Sequence, residues 1–120
     1  MTLLTKSIQN KSVKNDGIRI CVMRKPGKKA KYDIWMPVLA PSKSLLDNYH
    51  KKKINWEIYE KRFKTEVIKK QKKFLQLFTY MALRNKITIL CWEKTPEQCH
   101  RRLIAEECMR INKKLKIIIK

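Results

Sequence analysis

The chain reads as an α/β protein, with a small sheet of about four strands, flanking helices and a single domain over residues 1–120. Three observations predict this. Residues 87–91 form a continuous apolar, β-branched run of strand length, the mark of a strand buried on both faces. A long stretch of helical periodicity precedes that strand, and a second stretch with its own start signal follows it. At 120 residues, 43% of them hydrophobic, the chain has apolar material for one core and too little length for two.

Residues 2–8 read as a first strand, bounded by the polar stretch 9–16 and its closing turn signal Asn15-Asp16-Gly17. Gly17 opens a second strand, in which Ile18, Ile20 and Val22 alternate with Arg19, Cys21 and Met23. It stops at Arg24-Lys25-Pro26-Gly27, where proline and glycine break the ladder, so Arg24 belongs at a strand's carboxyl end. A basic loop over 28–32 leads to a short helix predicted at 33–39, with Ile34, Trp35 and Leu39 packing inward until Ala40-Pro41 ends it. Ser42 is an N-cap for a helix carrying Leu45 and Leu46, and Asn55 caps the longest helical stretch. There Trp56, Tyr59, Phe63 and Val67 recur at three- and four-residue spacing. Phe74, Leu77, Phe78, Met81 and Ala82 continue the stripe beyond a basic joint at 69–73, a candidate helix break. After the central strand, Thr95-Pro96-Glu97-Gln98 combines a threonine cap, proline at the first helical position and glutamine three residues after the cap. This predicts a helix from there to about Asn112, burying Leu103, Ile104, Cys108 and Ile111, and then a last strand over 115–119.

Thirty Lys and Arg against ten Asp and Glu give a formal charge of +20, an electropositive surface that attracts polyanions. The expected partner is nucleic acid or a phosphorylated ligand. Twenty-three of the thirty cations are Lys, so a compositional bias spread over every solvated face accounts for the same figure. No apolar run is long enough to span a membrane, and the first residues carry only a short apolar run before charge resumes. The expectation is therefore a cytoplasmic protein whose four cysteines, Cys21, Cys91, Cys99 and Cys108, are reduced.

A buried strand ending at Cys91, a short loop through Glu93 and a helix bearing Cys99, His100 and Arg101 make the arrangement that sets sites at the carboxyl edge of an α/β sheet. An extended chain past Cys91 sends Cys91 and Glu93 to one side, beside a helix N-terminus whose free N–H groups favour anions. On this reading Glu93 and His100 are acid and base, Cys99 or Cys91 is nucleophile or pocket wall, and Arg24 and Arg101 hold an anionic group. Each residue also has a structural alternative. Free cysteines commonly pack in cores, His100 is placed to bond backbone, and Glu93 is placed to pair with either arginine. Cys91, Cys99 and His100 supply three metal ligands at most, without a Cys-x-x-Cys knuckle, so neither a metal nor a cofactor is expected. Paired thiols leave a redox role open, and two glycines are too few for a phosphate loop or dinucleotide fingerprint.

The string LCWEKTPEQCHRRLIAEE resembles the C-terminal motif of the domain of unknown function 488 family: Cys-x-Glu, a short acidic, proline-containing spacer, then Cys-His-Arg. Thr5-Lys6-Ser7, the strand ending in Arg24 with Pro26 and Gly27, Tyr32-Asp33-Ile34-Trp35, Leu39-Ala40-Pro41-Ser42, and Trp56-Glu57 with Tyr59 and Arg62 extend the resemblance over nearly the whole chain. It implies a small α/β fold that brings Arg24, Cys91, Glu93, Cys99, His100 and Arg101 together, in a family without an assigned activity. Some relatives carry a longer Asp-Arg-x-Trp-Pro-Arg-Gly segment where this chain has Met23-Arg24-Lys25-Pro26-Gly27, so roles of that carboxylate and second arginine do not transfer. Two classes of function remain in view: an enzyme with an open pocket, and a basic nucleic-acid-binding module whose polar cluster only fixes the fold.

Overall fold

A computed structural model describes residues 2–120. Strands β1 (Thr2–Ser7), β2 (Ile18–Cys21), β3 (Ile34–Trp35), β4 (Ile87–Cys91) and β5 (Lys116–Ile119) form one sheet in the order β3-β2-β4-β1-β5. Every pairing is parallel, so all five carboxyl ends lie along the same edge. The run at 87–91 is the central strand, and all its residues are buried. Helices α1 (Lys43–His50), α2 (Trp56–Phe63) and α3 (Lys72–Arg84) connect β3 to β4, and α4 (His100–Ile111) connects β4 to β5.

Leu3, Ile20, Ile87, Ile89 and Cys91 share one sheet face and cluster with Phe63, Phe78, Leu103 and Ile104 of the helices. Lys6, Arg19 and Thr88 alternate onto the other face, as the period of two requires. That face is covered by the β1–β2 connection, whose Asp16 is buried against them. Lys6 Nζ donates to both carboxylate oxygens of Asp16 at 3.0 and 3.1 Å, Arg19 pairs with the same group, and Thr88 Oγ1 donates to the Asp16 carbonyl at 2.6 Å.

Two expected elements differ. No α-helix forms over 33–39. The Met36 N–H bonds to Cys21 O and the Asp33 N–H to Arg19 O, both at 2.8 Å, so the segment adds to the open edge of β2 as the fifth strand. Ile34 and Trp35 are consequently exposed, and only Leu39, in the following 3₁₀ turn at Pro37–Leu39, packs inward. Residues 95–98 form a separate turn, closed by Cys99 N–H to Pro96 O at 3.2 Å, and α4 starts only at His100 because Cys99 is extended (φ −141°, ψ 140°). The helix break at the basic joint does occur: a π turn over Lys64–Ile68 follows α2, and α3 begins at Lys72.

Candidate functional site

Strand order fixes where a ligand site belongs. After β2 the chain turns outward to β3, and after β4 it turns the opposite way through α4 to β5. The carboxyl ends of β2 and β4 therefore flank the switch point of the sheet, where open α/β sheets have a crevice. A cavity of about 360 Å³ lies there. Met23 and Arg24 reach it from the end of β2, Cys91, Trp92 and Glu93 from the end of β4, and Cys99 and His100 from the start of α4.

Cys91, Cys99 and His100 are all buried, and their ligand-type atoms lie within 4.8 Å of one another. Cys91 Sγ is 3.5 Å from His100 Nδ1. The same sulfur is 3.7 Å from Nε2, and Nε2, 2.8 Å from the Val22 carbonyl, which can only accept, carries a proton. Phe63 packs against the imidazole at 5.4 Å between centroids and is itself stacked on Tyr59, so the ring is held from behind by core aromatics. Cys99 occupies the N-cap of α4 rather than its first turn. The neighbouring Cys91 thiol opposes desolvation and, with the His100 ring and the Arg101 N–H, holds the Cys99 thiol well below its ordinary range. Cys91 moves the other way, pushed up by Cys99 and by burial. Cys21 and Cys108 are buried elsewhere, both with raised thiols because of desolvation.

The two arginines have different surroundings. Arg24 is exposed at the cavity mouth and makes no ion pair among the described residues. Arg101 is fully buried and does not line the cavity. Its guanidinium donates to the Glu93 carbonyl at 2.8 Å and to Lys120 O at 3.0 and 3.3 Å, so the anion-holding part expected of it is not open to it in this geometry. What it does is tie the loop after β4 to the end of β5. The Glu93 side chain is exposed at the cavity with no ion-pair partner among the described residues, and does not pair with either arginine.

Sequence reading missed the aromatic wall. Tyr49 of α1 spans to the 95–98 turn through its hydroxyl, 3.0 Å from Gln98 Oε1, and lies 4.9 Å from the Tyr59 ring. Both tyrosines line the cavity, and burial raises both phenols. Trp92, 56% exposed, forms part of the same lining. Tyr59 carried a signal, as one of a helical apolar stripe, but nothing in the sequence told which apolar residues turn toward a sheet edge.

The fold and site define a parallel α/β domain with thiol, imidazole and carboxylate groups at its switch point. Over residues 3–112 the chain matches the family model described as the active DUF488-N3 subclade. It belongs to the DUF488 family. No curated protein and no solved structure gives a significant match. Among the described residues, no helix is long and apolar enough to cross a membrane.

Proposed function

We propose that the cavity is an active site for a nucleotide-class anion, free or as part of a nucleic acid, with hydrolytic or transfer chemistry at its base, sugar or phosphate. The observation that carries the reading is the convergence of Cys91, Glu93, Cys99 and His100 on one cavity whose mouth holds an unpaired arginine. Its volume suits a small ligand. Arg24 holds the anionic group, with Lys25 adding positive potential at the rim, where Lys43 is paired with Asp47 at 3.3 Å. Trp92 offers an exposed face on which a base stacks. Glu93, solvated and unpaired, moves protons, and the buried Cys91, Cys99 and His100 form the reacting floor. Arg101 is a positioning residue that fixes the loop carrying Glu93. The description of the matched subclade as active supports enzyme over binding module.

Calorimetric titration with nucleoside phosphates and short oligonucleotides, followed by mass analysis of incubated mixtures for products, tests the reading. At least one ligand binds and is converted. Arg24→Ala weakens it about tenfold or more, the value of a charge-assisted contact, and Glu93→Gln binds it but does not turn it over. No binding by any of these ligands overturns the site assignment, and binding without product from the unaltered chain replaces the enzyme with a binding module.

A further inference from the structure

The geometry points to a zinc-class divalent ion held by Cys91 Sγ, Cys99 Sγ and His100 Nδ1, with its fourth position open to the cavity. The inference rests on reading the cavity as an active site and assigns what its buried floor does. Three potential ligands from two elements, the end of β4 and the start of α4, come within 4.8 Å of one another and are all buried. With zinc–sulfur and zinc–nitrogen bonds of about 2.3 and 2.0 Å, a tetrahedral ion sets sulfur and nitrogen about 3.5 Å apart. Cys91 Sγ is 3.5 Å from His100 Nδ1 and 3.7 Å from Nε2, close enough for the imidazole to reach an ion held by that sulfur.

The outer shell is also in place. A histidine ligand ordinarily donates its other ring N–H to a carbonyl or carboxylate, which fixes the tautomer and aims the free nitrogen. The 2.8 Å bond from His100 Nε2 to the Val22 carbonyl is such a contact, and it comes from the strand next to β4. Two thiolates and an imidazole select zinc over magnesium or calcium, which prefer oxygen donors. Three protein ligands with one side facing a cavity is the pattern of catalytic rather than structural zinc, which has four. The sequence lacks a Cys-x-x-Cys knuckle because the ligands are brought together by a strand end and a helix start, so spacing alone leads to the contrary expectation of no metal.

A water in the fourth position would be acidified toward about pH 7. Glu93, two residues beyond Cys91 and on the same cavity, would accept the proton of that water. The water oxygen would add to the electrophilic atom of the substrate as the bond to the leaving group breaks, and Glu93 would return the proton to that group, so one water would be consumed for each bond cleaved. A metal ligand followed at the second position by an acid–base glutamate is the spacing that zinc nucleobase deaminases use for the same division of labour.

Titration of the reduced, full-length chain with cobalt(II), followed by competition with zinc(II), tests the site without reference to activity. The expected result is one equivalent of tetrahedral cobalt with a thiolate charge-transfer band that zinc removes. Cys91→Ser and Cys99→Ser each weaken metal binding by more than the roughly 10–100-fold that an outer-shell change costs, while Cys108→Ala leaves the band unchanged. A wild-type chain with no thiolate band, or a band that survives both serine variants in folded protein, overturns the inference. Nucleotide binding with no cobalt band would retain the proposed function and remove the metal. A cobalt band with no nucleotide binding would do the reverse.

Discussion

Asp16 is the most heavily partnered carboxylate in the molecule, buried with Lys6, Arg19 and the Val13 N–H around it. Burial alone would raise its pKa, but Lys6, the Val13 N–H and Arg19 outweigh burial and hold it below its ordinary value of 3.8. Its sign follows from linkage: as pH falls, the unfolded chain takes up this proton first, so the contribution is complete above 3.8 and fades below it. Asp16→Asn should cost about 3–5 kcal/mol in urea denaturation at neutral pH, because it leaves two buried cations without a counter-charge. The difference from the unaltered chain should shrink as pH drops below about 4; a difference independent of pH would contradict this account of the cluster. Arg101 and Arg24 should part in the same assay. Arg101→Ala removes the charged donor to the Glu93 carbonyl and to Lys120 O, which Thr5 Oγ1 also reaches, at about 1.5–3 kcal/mol for each charge-assisted bond lost. Arg24→Ala, on the surface, should stay within about 0.5 kcal/mol of the unaltered chain while weakening ligand binding.

Helix starts decide how far the elements were legible in the sequence. Ser42 and Asn55 do cap α1 and α2, each accepting from the N–H three residues on, at 3.1 and 2.9 Å. Asn55→Ala should lower stability by about 1 kcal/mol in thermal or urea unfolding, and a neutral outcome would show α2 to be held by packing alone. Gly17 is likewise readable: its φ is +67°, and a Cβ there would run into the Lys86 carbonyl beside β4. Gly17→Ala should therefore cost more than about 1 kcal/mol. The strands β2, β4 and β5 follow from local apolar pattern, and β1, which alternates poorly, from the polar stretch and turn signal that bound it, all properties of neighbouring residues. Two features were not legible, because both depend on partners distant in sequence. β3 exists only because β2 offers it an open edge, and the start of α4 at His100 separates a strong local cap signal from the helix it was expected to open. The candidate site was legible in its residue types and in its place at the sheet edge. The closeness of Cys91 to both Cys99 and His100, and the inward turn of Arg101, required the fold.

For the whole molecule, thirty cations on 120 residues and a cavity at the sheet switch point make separate contributions. The spread of lysines should give salt-sensitive, sequence-tolerant affinity for DNA or RNA, because each phosphate neutralised releases a counterion. Affinity should fall steeply between about 50 and 200 mM salt; equal affinity at both would mark the charge as compositional. Arg24 and Trp92, by contrast, concern one ligand at one place. The most direct test of that place is a crystal structure of the chain with a nucleoside monophosphate bound. It should show the phosphate on Arg24, the base against Trp92 and the reacting atom over Cys91, Cys99 and His100. A nucleotide seated only on surface lysines, with the switch-point cavity occupied by water alone, would contradict the account.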